Sequence, residues 1–152
     1  MDNYITHAIR TEAPSDQRLL HCVLGLTTEM AAIYEGEKDI ANFREELGDI
    51  MWYVAIGLHF FEAPLYGGEP LEPHQDLMWS VGQFANQMKR HIFYGTPLDR
   101  EKMVGLLYAV RGNVESICAE SGFLFSEILT ENIHKLMKRF PEKFSEERAV
   151  NR

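Results

Sequence analysis

The sequence predicts an all-α protein, a helical bundle of two long antiparallel helical hairpins with short flanking helices. Three observations support this fold class. Apolar residues recur every three or four positions over long stretches, short breakers separate those stretches, and no segment alternates in the way that is typical of a strand. The chain has 152 residues, enough for one core, so we treat residues 1–152 as a single domain.

The first predicted elements are a short helix over residues 4–10 and a hairpin over residues 15–61. Ser15 or Asp16 can cap the first long helix of this hairpin, because both residue types accept hydrogen bonds from the free amides of a first helical turn. Gly36 marks the end of that helix.

The second helix of the first hairpin carries an apolar stripe. Asp39 is a plausible cap for this helix, which stops before Pro64. The stripe steps by three or four positions and consists of Phe43, Leu47, Ile50, Val54, Leu58 and Phe61. A stripe of this kind must pack against another element.

A linker over residues 62–73 follows, since three prolines and two glycines forbid a continuing helix there. The second hairpin is predicted over residues 74–121, with its first helix over 74–93. Thr96 is expected to cap the next helix, with Pro97 at the favoured first position.

The last predicted helix covers residues 126–140, with Ser126 as its cap, and ends before Pro141. The polar and charged residues 141–152 predict a loosely held tail.

Composition restricts the partners and the compartment. The net charge is −8, from 23 acidic residues against 15 Lys plus Arg, which disfavours nucleic acid and anionic membranes as partners. An anionic substrate would need a bridging cation. Cys22 and Cys118 sit in helical apolar patterns and are expected to be reduced core thiols. With no signal-peptide pattern and no stretch of about 18 apolar residues, we expect a cytoplasmic protein.

The informative residues are acidic. Glu46 and Asp49 are three positions apart, so their carboxylates lie on nearly the same side of one helix. In an antiparallel hairpin, Glu29 can face them from the neighbouring helix. Converging carboxylates repel one another unless a cation neutralises them, and oxygen ligands suit Mg²⁺ or Mn²⁺. The alternative is an ordinary solvated acidic face, which spacing alone does not exclude.

These residues resemble the MazG-like members of the all-α nucleoside triphosphate pyrophosphohydrolases. Leu20-His21, Gly25-Leu26 and Glu29 are similar to the first helix of that family, and residues 45–53 (EELGDIMWY) to the second. Residues 132–144 (NIHKLMKRFPEKF) are similar to its closing helix and tail.

The resemblance implies a Mg²⁺-dependent enzyme, with Mn²⁺ as a possible substitute. Such an enzyme cleaves a nucleoside triphosphate to a monophosphate and pyrophosphate. It implies metal ligation by Glu29, Glu46 and Asp49, with Glu45 as a further acid or base next to Glu46. The resemblance implies Asn132 as a substrate contact. In a nucleotide enzyme, Lys89, Lys135 and Arg139 would meet phosphate oxygens and Tyr53 would line a base or sugar pocket. The alternative for Lys135 and Arg139 is a pair of ordinary solvated charges near a helix C-terminus. The resemblance also implies a homodimer.

One departure from the family pattern supports a second interpretation. The family places a second glutamate where this chain has Ala32, and the acid often found before Glu29 is Thr28. Glu35 is about 240° round the helix from Glu29 and is a poor substitute. The alternative function is therefore a catalytically weakened helical module that binds a nucleotide or a protein partner.

The second hairpin resembles the family in residues 89–95 (KRHIFYG) and 97–102 (PLDREK). The acidic positions of this copy are replaced by Ser80, Gln83, Leu106 and Ala109, which leaves it without a metal site. We expect it to act as a built-in partner that covers the apolar face of the first hairpin. The histidines show no ligand spacing and are expected to be structural or surface residues.

Overall fold

The computed structural model describes residues 3–36 and 39–150, and every regular element in that part of the chain is an α-helix. The all-α class is thus confirmed. The helices, in chain order, are α1 (Asn3–Ile9), α2 (Arg18–Gly36), α3 (Ile40–Phe60), α4 (Leu77–Tyr94), α5 (Arg100–Ser121), α6 (Phe125–Arg139) and α7 (Glu146–Val150).

The ends of α2 and α3 follow local hydrogen bonding. Helix α2 extends to Gly36, the last described residue before a gap, and the Asp39 carboxylate accepts the amide of Ala41 at 3.0 Å at the start of α3, as predicted for this cap. The start of α2 is later than predicted. Ser15 accepts the amide of Gln17 at 3.0 Å in the turn that precedes the helix, so its hydroxyl closes a turn instead of capping α2.

The predicted caps of the later helices are wrong. The cap of α5 is Asp99, whose carboxylate accepts the amide of Lys102 at 3.1 Å, while Thr96 lies three residues earlier in the connection. A carboxylate is the stronger acceptor at a helix N-terminus, because the helix dipole favours negative charge there. Ser126 is inside the first turn of α6, which begins after Leu124 without a side-chain cap.

Helix α3 occupies the centre of the bundle. It packs against α1, α2, α5 and α6, and α2 also packs against α4. The consecutive helices α2 and α3 pack together, as do α4 and α5. The apolar stripe of α3 is therefore covered from several sides within one chain. The second helical pair contributes to this cover, as the sequence predicted.

One hydrophobic core runs through these contacts. It contains residues from α1 to α6, and its largest fully buried side chains are Phe84, Leu26, Leu47, Ile50, Met51, Ile56, Leu58, Leu65, Met103, Leu106, Leu107 and Ile128. Among the described residues, no helix combines the length and the apolar character that a membrane crossing needs.

The segment between α3 and α4 is irregular but packed. Leu65 is fully buried, and the amide of Leu71 donates to the carbonyl of Gly105 at 2.9 Å. Side chains of α5 also hold it, since the Tyr108 hydroxyl donates to the carbonyl of Pro64 at 2.8 Å. The segment that joins the two helical pairs is therefore well packed against the bundle.

The prediction of a loose tail is wrong for the described residues after α6. The amide of Phe144 donates to the Arg10 carbonyl at 3.3 Å, and the Arg10 guanidinium donates to the carbonyls of Pro141 and Glu142. The phenyl rings of Phe140 and Phe144 also lie 5.5 Å apart. Hydrogen bonds with Arg10, the residue that follows α1, therefore hold this segment in place.

Candidate metal centre

Three carboxylates from two consecutive helices meet at one place in the bundle. Glu29 lies on α2, and Glu46 and Asp49 lie one turn apart on α3. One carboxylate oxygen from each residue lies within 4.8 Å of the other two, and all three residues are partly buried. This is the convergence that the sequence predicted. We call these three residues the acidic cluster.

The close approach of α2 and α3 beside the cluster depends on a glycine. A Cβ atom at Gly25 would lie 2.1 Å from ring atoms of Tyr53, well inside van der Waals contact. The Tyr53 ring therefore occupies the space that a side chain at position 25 would need. This contact sets the distance between the helix that carries Glu29 and the helix that carries Asp49.

Helix α6 brings a cation and an amide to the acidic cluster. The Lys135 ammonium donates to Oδ1 of Asp49 and, at 3.2 Å, to Oε1 of Glu45. The Asn132 amide donates from Nδ2 to the same Oδ1 of Asp49 at 3.0 Å. A Cβ at Gly48 would lie 3.0 Å from the Asn132 Cβ, so a glycine at this position lets α6 come close.

Burial and the charges of neighbouring acids shift the pKa values of Glu29 and Asp49. The pKa of Glu29 is raised from 4.5 to about 8, first by burial, then by the hydrogen bond to Glu46 and by the charges of Asp49 and Glu46. Burial likewise raises the pKa of Asp49, and the Lys135 ammonium counteracts that effect. A single ammonium faces three acids, so the cluster favours either a proton or a further cation.

The donor set of the cluster fits a hard divalent cation. All three donors are oxygens, which Mg²⁺ and Mn²⁺ prefer. Oxygens bound to one Mg²⁺ at about 2.1 Å lie at most about 4.2 Å apart, so separations within 4.8 Å need only small side-chain rotations. Water and substrate oxygens would complete the shell of such an ion.

A cavity of about 270 Å³ opens beside the acidic cluster. Its charged lining residues are Glu29, Asp49, Lys135 and Arg139. Its lining also includes the rings of His21, Trp52, Tyr53, Phe140 and Phe144. A cavity lined by both charged and aromatic side chains can accept a ligand that has an anionic part and a planar part.

The predicted site residues do not all lie at this cavity. Tyr53, Lys135 and Arg139 line it, and Arg139 also donates from Nη2 to the carbonyl of Ala149 at 3.0 Å. Glu45 is exposed next to Lys135, outside the three-carboxylate group. Lys89 is exposed on α4 and is absent from the lining of the cavity, so its predicted phosphate contact has no counterpart in this arrangement.

Sequence reasoning missed two residues at this site. His21 was expected to be structural or on the surface, but it lines the cavity and meets the Tyr53 ring edge-on at 5.4 Å. Tyr4 of α1 donates from its hydroxyl to Oδ1 of Asn132 at 2.9 Å. The Leu20-His21 pair, part of the motif that resembles the MazG-like family, was a sequence signal for His21. The sequence pattern of α1 contained no signal for Tyr4.

The second helical pair has no corresponding group. Ser80, Leu106 and Ala109 are buried, and the Ser80 hydroxyl donates to the carbonyl of Asp76 at 3.0 Å. Within residues 3–36 and 39–150, the acidic cluster is the one group of three potential metal-ligating side chains.

The two cysteines are core residues, and the Cys22 thiol donates to the carbonyl of Tyr53 at 3.2 Å. Cys22 and Cys118 are both buried and unpaired, as expected for core thiols. Burial raises the pKa of the Cys118 thiol to about 11 and that of Cys22 still further, which disfavours the reactive thiolate.

Comparison with known proteins gives no relative: no family model matches the chain, and no curated protein or solved structure shows significant similarity to it.

Proposed function

We propose that this protein is a Mg²⁺-dependent nucleotide pyrophosphohydrolase, which converts a nucleoside triphosphate and water into a monophosphate and pyrophosphate. The observation that carries the proposal is the acidic cluster, in which oxygens of Glu29, Glu46 and Asp49 lie within 4.8 Å of one another at the edge of a cavity. The resemblance of residues 45–53 to the MazG-like family supports the same function.

In this proposal the acidic cluster binds the ion, and other side chains bind the substrate. Bound Mg²⁺ would polarise the phosphates and lower the pKa of the attacking water. Lys135 and Arg139, which both line the cavity, would offset phosphate charge. Tyr53 would contact the base or the sugar. Glu45, which is bonded to Lys135, would act as an outer acid or base that does not touch the ion.

The architecture in this proposal is MazG-like. The pairs α2–α3 and α4–α5 would be two copies of one antiparallel hairpin, of which the second has lost its acids. Since α4 and α5 pack on the first pair within the same chain, no second copy is needed to cover the stripe of α3. A homodimer remains part of the proposal, and exposed Leu24 and Tyr34 on α2 offer a surface for it.

The first experiment is a pyrophosphate-release screen over the common ribo- and deoxynucleoside triphosphates with Mg²⁺ or Mn²⁺. We expect release from at least one nucleotide. Glu46→Gln removes a metal ligand and should lower the rate by about 100-fold or more. Glu35→Gln, on the exposed end of α2, is the matched control and should retain the rate. A wild-type protein that releases no pyrophosphate from any nucleotide would contradict the proposal.

A specific observation favours the second candidate, a helical module that binds without catalysis. Ala32 stands where the family has a ligand, and the Lys135 ammonium already neutralises part of the charge on Asp49. In this case Mg²⁺ should leave the melting temperature unchanged and Glu46→Gln should affect stability alone. Ala32→Glu, which restores the family pattern, should then create metal binding that the wild type lacks.

A further inference from the structure

The inference concerns a buried chain of hydrogen bonds that ends on the acidic cluster. The Tyr4 hydroxyl donates to Oδ1 of Asn132 at 2.9 Å, and Nδ2 of Asn132 donates to Oδ1 of Asp49 at 3.0 Å. Tyr4 is 7% exposed and Asn132 is 3% exposed, so water has little access to either side chain. The chain of bonds joins three helices, α1, α6 and α3.

The direction of these bonds follows from the chemistry of the end group. An ionised carboxylate only accepts hydrogen bonds, so Asp49 must receive the NH₂ side of the Asn132 amide. The carbonyl side of that amide then faces Tyr4, which must donate. Burial, together with the charge of Asp49, raises the pKa of the Tyr4 hydroxyl well above its ordinary value, so the group stays protonated and able to donate.

This arrangement fixes the orientation of the Asp49 carboxylate. The donors from α6, Nδ2 of Asn132 and Nζ of Lys135, both end on Oδ1. Two donors on one oxygen hold the carboxylate group in a single orientation beside Glu29 and Glu46. Outer groups that orient a ligand in this way commonly change metal affinity by about 10- to 100-fold.

We propose that Tyr4 is a positioning residue of the candidate metal centre, which holds Asp49 in its ligating orientation through the amide of Asn132. The proposal rests on the proposed function, because it requires an ion at the acidic cluster. Tyr4 itself touches neither ion nor substrate. Its loss therefore weakens the binding of the ion, whereas a tyrosine that only ties helices together would change stability alone.

The test measures Mg²⁺ binding by calorimetry in the full chain, without nucleotide. Tyr4→Phe should weaken Mg²⁺ affinity by about 10-fold. Tyr108→Phe is the matched control, because its hydroxyl also bonds a buried partner, the carbonyl of Pro64, far from the acidic cluster. This control should lower the melting temperature and retain the affinity. In an Asn132→Ala background, Tyr4→Phe should weaken Mg²⁺ binding no further.

A second measurement needs no metal. In wild-type protein the side-chain NH₂ protons of Asn132 should exchange slowly with water in NMR spectra, and in Tyr4→Phe they should exchange faster. A wild type that binds Mg²⁺, with Tyr4→Phe of unchanged affinity, would overturn this inference and leave the proposed function intact. A wild type without Mg²⁺ binding would overturn both.

Discussion

Within the acidic cluster, the carboxyl group of Glu29 has a pKa raised to about 8. It is held between two further carboxylates, and the only ammonium at the cluster, among the described residues, contacts Asp49 and Glu45 instead. A proton on Glu29 and a divalent cation are therefore alternative ways to relieve the same repulsion. The stability of the protein should therefore change over the pH range in which Glu29 loses its proton.

Without a divalent ion, we expect stability to fall as the pH rises from about 5 to about 9. The folded-state pKa of Glu29, about 8, is above its ordinary value of 4.5, so between these values the folded state keeps a proton that the unfolded state has lost. This contribution is complete below the lower value and is lost as the pH passes the higher one. Thermal unfolding in EDTA should show a decrease of a few °C.

The control for this prediction is a pair of amide variants on α2. Glu29→Gln cannot ionise, so its melting temperature should depend less on pH and should exceed that of the wild type at pH 9. Glu35→Gln should follow the wild type. An equal pH dependence in Glu29→Gln and in the wild type would show that the proton resides elsewhere.

Sequence spacing was sufficient to predict that the three acidic side chains meet. It was not sufficient to predict that Asn132 and Tyr4 support them. The three-residue step from Glu46 to Asp49 and the pairing of neighbouring helices are local rules. The contact between Asn132 and Tyr4 spans 128 positions along the chain and depends on how α1 and α6 both settle on α3. No local periodicity encodes such a contact.

At the level of helices, the packing of α2 on α3 should be sensitive to one methyl group. Gly25→Ala places a Cβ 2.1 Å from the Tyr53 ring, so we expect it to destabilise the protein by about 1–3 kcal/mol. Chemical denaturation would measure this change. In a Tyr53→Ala background the same substitution should be harmless, because the ring is gone.

Gly112 provides the matched control for Gly25. It also lies inside a long helix, but a Cβ there would meet nothing within 4 Å. Gly112→Ala should therefore stabilise the protein by up to about 1 kcal/mol through helix propensity alone. Equal effects at the two positions would refute the steric explanation.

The N-terminus of α5 gives a second test at this scale. Asp99→Ala removes the carboxylate that accepts the amide of Lys102, and should cost about 1 kcal/mol in a denaturation experiment. Thr96→Ala should cost clearly less, because the contacts of Thr96 are made by its backbone, with Arg90 and His91. A larger loss at position 96 would instead support the cap predicted from the sequence.

Helix positions were easier to predict than helix ends. The apolar steps of α3 extend over many residues, so a single polar exception does not hide the pattern. A cap depends on one side chain, and Thr96 and Asp99 both satisfy the rule within the same short connection. The choice between them is decided by how the chain enters the bundle, which composition does not reveal.

For the whole molecule, the continuous core predicts one cooperative unfolding transition. The two tryptophans report on different parts of it, since Trp52 lies on α3 and Trp79 on α4, and both pack against the core. In single-tryptophan variants, Trp52→Phe and Trp79→Phe, fluorescence should give the same denaturation midpoint after correction for each variant's stability by circular dichroism. Two separate midpoints would mean that the helical pairs unfold independently.

The bonds that end on Asp49 also bear on the order of events during folding. Asn132 and Lys135 lie 83 and 86 positions after this aspartate, so α2 and α3 emerge from a ribosome well before the groups that restrain and neutralise their acids. Closing such distant contacts is slow, because most of the chain must first be ordered. The bonds from α6 to Asp49 are thus expected to form late in folding, and a signal that requires them would mark the completion of the site.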